Sequence, residues 1–340
     1  MKALKIAVLA SFWSDVSQVN SYIVPLLIPT AFPTLPLKNV VESEEVAGEV
    51  GSELKNQARR AFVASVSSGL AVGLRTSSTQ KSSDPFFRAK TVIKDMVHTD
   101  PQRAPSLIKL AWHSSLTYKN YQYQGGGDEL QFRRALGGNA GLALTAMPWL
   151  EGIKEEAGAE ISLPDLYTLG GVAAIEALGG PKIRWRAGRK DGGEERGEGD
   201  TYNDSCIISN DANQLRCIFE SMDFQHEDRD KAIVALSGAH ALGRLTGGTA
   251  INTNYFKFLA LMKKKRGAKR EWDGPFEVEN DIGKMMLMPT DLALIEDPRF
   301  FKWVSAYAKD DGSRFFSDFS IFFQQLTEMG CNDLFEVAAV

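Results

Sequence analysis

The chain has 340 residues, 44% hydrophobic and 24% charged, with a formal net charge of −4. That composition is ordinary for a globular protein and argues against the disordered, collagenous and coiled-coil classes, and the mildly acidic balance gives no electrostatic reason to expect nucleic acid as a partner. No run of 18 or more uninterrupted apolar residues occurs, so a regular membrane-spanning helix is not expected.

Residues 1–80 read as a targeting region rather than as part of a fold. Lys2 and Lys5 precede the apolar run Ile6–Trp13, the layout of a secretory signal. A second apolar patch, Tyr22–Phe32, is broken by Pro25 and Pro29. Five glutamates between Glu42 and Glu53 follow, then Arg59-Arg60-Ala61-Phe62 before a small-residue stretch, which resembles a twin-arginine export signal. Two readings stay open: a disordered extension with a chance arginine pair, or a stacked address leading through the secretory route and a plastid to the thylakoid lumen. In the second, Ala31-Phe32 resembles the cleavage sites of plastids acquired by secondary endosymbiosis.

From Asp84 onward apolar residues recur at helical intervals. Leu107, Ile108, Leu110, Ala111 and Trp112 follow Pro101, and Phe132–Leu150 reads as a further helix. Ser162 and Asp165 mark the entry to Leu166–Leu178, which Gly179-Gly180-Pro181 stops. Lys231–Leu242 carries an apolar stripe, and Pro289, Asp297-Pro298 and Ser313 open the last three helices. Gly125–Gly127 and Gly192–Asp200 read as loops, and Lys263–Arg270 as a solvated basic face or loop. No long stretch alternates with period two. The expected fold is all-α, a single domain over residues 83–330 with a short C-terminal tail at 331–340.

The chemistry is bounded by scarcity. Three cysteines without CxxC spacing indicate neither a disulfide scaffold nor a cysteine zinc site; Cys206 and Cys217 read as free thiols, although an oxidising compartment would permit pairing. There are four histidines, and His98 and His226 sit in polar stretches, whereas His113 and His240 lie on apolar helical segments. Buried histidines are commonly satisfied core residues. The alternative is a cofactor gripped between two helices: haem iron takes a neutral imidazole on one side, and that ligand's other nitrogen donates to a carboxylate. Asp318, flanked by Phe315, Phe316 and Phe319, is a candidate carboxylate, or else lies on a solvent face. On the opposite side His113 could shuttle the peroxide proton, with Lys109, one helical turn earlier, supplying positive charge.

These segments closely resemble the class I haem peroxidases, the group of ascorbate and cytochrome c peroxidases. Ala104–Tyr118 resembles their distal helix, Gly137-Gly138-Asn139 the turn that orients the distal histidine, Leu236–Arg244 the proximal helix, and Met285–Asp297 with Phe315–Phe319 the C-terminal helices. The resemblance implies haem b held in a central crevice, with His240 as the iron ligand and Asp318 as its carboxylate partner. His113 would be the distal acid–base, Asn139 its orienting group and Trp112 the wall over the haem. It further implies hydrogen peroxide as oxidant, a small-molecule or protein electron donor, and a part in the oxidative-stress response.

Three departures stand out. Lys109 replaces the family's distal arginine and lacks its planar fork. The proximal tryptophan, which bonds the aspartate and can hold a radical, has no counterpart in the shortened segment between Arg244 and Tyr255. The same deletion removes the arginine expected to bind ascorbate. Trp272 and Trp303 read as core aromatics. The alternative expectation is therefore a weakened or inactive peroxidase-like protein that binds photosystem II in the thylakoid lumen.

Overall fold

The computed structural model describes residues 84–115, 142, 145–157, 161–190, 212–224, 226–242, 244–245, 249–265 and 276–337. The targeting region, Asn139, Cys206, Gly125–Gly127 and Trp272 lie outside these. Ten α-helices form the described part, in chain order α1 (Pro85–Thr99), α2 (Ala104–Ser115), α3 (Ala146–Ala157), α4 (Leu163–Ala177), α5 (Ala212–Ser221), α6 (His226–Ser237), α7 (Asn254–Lys265), α8 (Pro289–Glu296), α9 (Pro298–Ala308) and α10 (Ser313–Glu328). The all-α expectation holds. No helix among the described residues is long and apolar enough to cross a membrane.

Helix starts follow local chemistry. The Asp84 carboxylate accepts from the Phe86 and Phe87 amides, Ser162 Oγ accepts from the Asp165 amide, and Asp297 accepts from the Arg299 and Phe300 amides. Each is followed at N1 or N2 by a proline, whose missing N–H costs nothing there.

A few short strands accompany the helices. Strands β2 (Phe276–Asn280) and β3 (Gly283–Leu287) form an antiparallel hairpin, and β1 (Arg186–Ala187) pairs with β4 (Phe335–Glu336). Phe276-Glu-Val-Glu does alternate, but over too few residues to stand out against helical neighbours. The second pairing draws the chain beyond Gly330 back onto the body.

Helices α2 and α4 pack together in the middle of the core, where a Cβ on Gly171 would come within 2.4 Å of the Ala111 Cβ. Helix α10 packs against both α2 and α6, the helices that lead to the two candidate histidines. An isolated bridge between Leu245 and Met285 ties the segment after α6 to β3, which runs into α8. That bridge sets Arg244 beside the first turn of α8.

Candidate active site

Helix α6 ends at Ser237 in a tight 3₁₀ turn, Gly238–Ala241, that carries His240. Glycine is required at 238 because a Cβ would lie 2.6 Å from the Phe315 ring. His240 is 3% exposed, and its ring stands edge-on to Tyr255 with centroids 6.1 Å apart.

The carboxylate facing His240 is Asp291, with Oδ1 3.6 Å from Nδ1. Asp291 lies in the first turn of α8 and is fully buried. Arg244 donates to it through both Nη atoms, at 2.9 and 3.3 Å, while its Nε donates to the His240 carbonyl at 3.0 Å. The Tyr255 hydroxyl donates at 2.6 Å and the Met288 amide at 2.9 Å. Burial pushes the Asp291 carboxyl upward, but the Arg244 guanidinium, with His240 and Tyr255 behind it, more than reverses this and holds it well below the usual carboxylate range. The Tyr255 phenol, buried beside that carboxylate, is pushed well above its ordinary value.

Asp318, expected to partner His240, does not. Its Oδ1 lies 2.9 Å from Lys231 Nζ, and its Oδ2 accepts from the Tyr307 hydroxyl at 2.9 Å. Helix α10 turns Phe315, Phe319 and Phe322 into the core, and Asp318 falls beside that stripe, toward α6 and α9. The signal for Asp291 was present in Pro289-Thr290-Asp291, an acidic residue one turn inside a helix otherwise made of apolar side chains. Arg244 and Tyr255 were visible too, but as landmarks around a deletion rather than as site residues.

The other candidate residues lie on α2. Lys109 and Trp112 are buried, at 6% and 1% exposure, and Trp112 packs on Phe219. His113 sits one turn after Lys109, and its Nε2 is sealed from solvent without a hydrogen-bond partner among the described residues. Burial first, and the Lys109 charge second, push its pKa down to about 3, so the ring is neutral at ordinary pH and able to accept a proton.

Cys217 is disulfide-bonded, against the expectation of a free thiol, and Cys331 is not, its Sγ lying 3.7 Å from the Met329 carbonyl. His98 and His226 are exposed, as their polar surroundings suggest.

The two histidine environments meet what an iron macrocycle requires. Nδ1 of one imidazole faces a buried carboxylate at 3.6 Å, which leaves Nε2 as the nitrogen that could bind a metal; the other imidazole keeps a buried Nε2 without a hydrogen-bond partner among the described residues. The sequence profile described as Peroxidase matches residues 89–310. The chain belongs to the peroxidase family, and within it to the class I haem enzymes that reduce hydrogen peroxide. It is 37% identical over 263 residues to a Cryptococcus neoformans protein assigned by name as a heme-binding peroxidase, covering 71% of this chain and 76% of that protein. It is also 38% identical over 256 residues to the mitochondrial cytochrome c peroxidase of Aspergillus fumigatus, covering 71% and 68%. The mitochondrial cytochrome c peroxidase of Cryptococcus neoformans is 37% identical over 258 residues, covering 72% and 66%.

These relatives overturn the expected plastid and thylakoid-lumen address: those whose names state a compartment are mitochondrial. The photosystem II association that accompanied that address finds no support among them.

Proposed function

We propose that this chain binds haem b between α2 and the Gly238–Ala241 turn and reduces hydrogen peroxide at the expense of an external one-electron donor, a small molecule or a protein, as part of a defence against oxidative stress. The observation that carries the reading is the presence of two buried histidines, His240 facing the Asp291 carboxylate at 3.6 Å and a neutral His113 whose Nε2 lacks a hydrogen-bond partner among the described residues.

His240 would hold the iron through Nε2, and the cofactor would supply an electrophilic metal that binds and polarises the peroxide. The Asp291 carboxylate orients the His240 ring from behind, and the Arg244 Nε fixes the backbone that carries it. His113 Nε2 would take a proton from hydrogen peroxide and return it to the oxygen that leaves as water. The Lys109 ammonium supplies positive charge beside the breaking bond, without the two parallel hydrogen bonds an arginine would offer. Asn139 would hold His113 in register, and Trp112 would wall the haem.

Cytochrome c is the donor named by two of the relatives and is the first protein donor to try, alongside small phenols and ascorbate. The test is an absorption spectrum of the full-length protein reconstituted with haem, before and after one equivalent of peroxide. The reading expects a Soret band that shifts on peroxide and returns when donor is added. It also expects His240→Ala to lose haem on gel filtration. Failure to take up haem, or a band that peroxide leaves unmoved, refutes the reading.

A further inference from the structure

A continuous line of contacting rings runs from His240 to the protein surface. His240 meets Tyr255 at 6.1 Å between centroids, Tyr255 meets Phe256 at 5.2 Å, Phe256 meets Tyr307 at 5.0 Å, and Tyr307 meets Trp303 at 6.4 Å. Tyr255, Phe256 and Tyr307 are fully buried, whereas Trp303 is part-exposed beside the exposed Lys302, whose Nζ lies 5.1 Å from the indole centre. Three of these side chains, two phenols and an indole, can lose one electron reversibly. Phe256 cannot do so readily, and serves as the bridge between the phenols.

The line carries a second feature that packing alone does not demand. A phenol that gives up an electron becomes a strong acid and must pass its proton to a neighbour. Both phenols already donate to a carboxylate: Tyr255 to Asp291 at 2.6 Å and Tyr307 to Asp318 at 2.9 Å. The two aspartates come from different helices, α8 and α10, so one structural accident does not explain both.

Building on the haem-peroxidase reading, we propose that Trp303, Tyr307 and Tyr255 form a relay that brings electrons from a donor docked at the surface to the buried cofactor. Peroxide is the oxidant: it takes up two electrons and two protons and leaves as two waters. Each electron comes from one donor oxidation. Tyr255 would give an electron toward the haem site, past the His240 ring beside it, and its phenolic proton to Asp291. Tyr307 then reduces Tyr255, which recovers its proton, while the Tyr307 proton moves to Asp318. Trp303 reduces Tyr307, and the external donor reduces Trp303. The ammoniums of Lys302 and Lys231, 5.1 and 5.5 Å from the indole centre, disfavour a positively charged indole, so oxidised Trp303 gives its ring proton to solvent, stands as a neutral radical at the surface, and recovers a proton when the donor reduces it. The donor class is thus a one-electron reductant that need not enter the core.

The experiment uses the full-length, haem-loaded protein, one equivalent of peroxide and a nitroso spin trap, with adducts located by peptide mass spectrometry and the Soret region followed in parallel. The relay predicts an adduct on the part-exposed Trp303. In Tyr307→Phe the Trp303 adduct is lost, while the Soret response is retained. In Trp303→Phe reduction by a protein donor slows, and the Soret response is again retained. A Trp303 adduct that persists in Tyr307→Phe overturns the relay. So does a Soret response in the unaltered protein without any adduct at Trp303, and in both cases the peroxidase reading survives. A Soret band that peroxide does not move overturns both.

Discussion

Replacing Arg244 with methionine tests whether the buried charge cluster behind His240 is held as described. The Arg244 side chain is 4% exposed and that of Asp291 is 0% exposed, so neither charge has water to fall back on. Breaking such a pair costs about 3–5 kcal/mol, because the remaining ion is left buried. Asp291 would keep the Tyr255 hydroxyl and the Met288 amide, which places Arg244→Met near the lower end, ~3 kcal/mol. Asp291→Ala strands the guanidinium and should cost about as much or more. The double variant Arg244→Met/Asp291→Leu removes both charges and should cost ~1–3 kcal/mol, chiefly for the unsatisfied Tyr255 hydroxyl. Against a typical total stability of about 5–15 kcal/mol these are large fractions, readable from urea unfolding followed by circular dichroism. The acid limb gives an independent check. Because Asp291 is held below its ordinary value of 3.8, its contribution is complete above that pH and is lost as pH falls toward the folded value. Asp291→Asn should therefore lose stability at neutral pH and show a shallower acid limb. Single variants that each cost under about 1 kcal/mol, with additive effects in the double, would refute the charge-cluster argument.

Other outcomes follow from the same geometry. His113 works as a base only when neutral, so the rate of the peroxide-driven Soret shift should be flat with respect to this group from neutral pH downward and fall only as pH approaches about 3. His113→Leu should slow that step by roughly 10²–10⁴-fold, and a stopped-flow rate within a factor of a few of the unaltered protein would remove the assigned role. Lys109→Arg should accelerate the step, since the guanidinium fork can donate twice; an unchanged rate would place the limit elsewhere. Gly238→Ala should destabilise by ~1–3 kcal/mol in urea unfolding, because the new methyl meets the Phe315 ring. Asp318→Asn should leave haem retention on gel filtration unchanged, as expected of a residue bonded to Lys231 and Tyr307 rather than to His240.

Much of the fold was legible because its helices announce their own ends. Asp84, Ser162 and Asp297 cap helices where a short polar residue precedes a proline, and the last three helices begin at the residues the sequence singles out. The hairpin of β2 and β3 escaped notice because five-residue strands carry too few alternations. At the candidate site, Lys109, His113 and His240 stood out as polar residues on apolar segments, and Trp112 entered through the family resemblance. The partner of His240 could not be named in this way. Asp318 and Asp291 both sit in aromatic or aliphatic helices near the C-terminal end, and spacing along the chain does not say which of them faces the ring. That choice depends on how α8 and α10 are rotated, which the Leu245–Met285 bridge and the Lys231–Asp318 pair decide in space.

The missing proximal tryptophan shows how a departure in sequence can differ from a loss in structure. A carboxylate buried as fully as Asp291 needs donors, whatever side chains supply them. With the segment after Arg244 shortened, the Tyr255 hydroxyl supplies one from the start of α7, and Arg244 supplies two more from the opposite side. The requirement that a tryptophan meets elsewhere is thus met here by a phenol and a guanidinium, and with a full positive charge added. That charge draws the anion toward Arg244 and leaves Nδ1 of His240 at 3.6 Å, beyond a good hydrogen bond. If His240 holds the iron as proposed, its imidazole would be a less electron-rich ligand than one bonded tightly to a lone carboxylate. The gap behind His240 therefore argues for retuned chemistry rather than for its absence, and Lys109 on α2 remains as the departure that bears directly on cleaving peroxide.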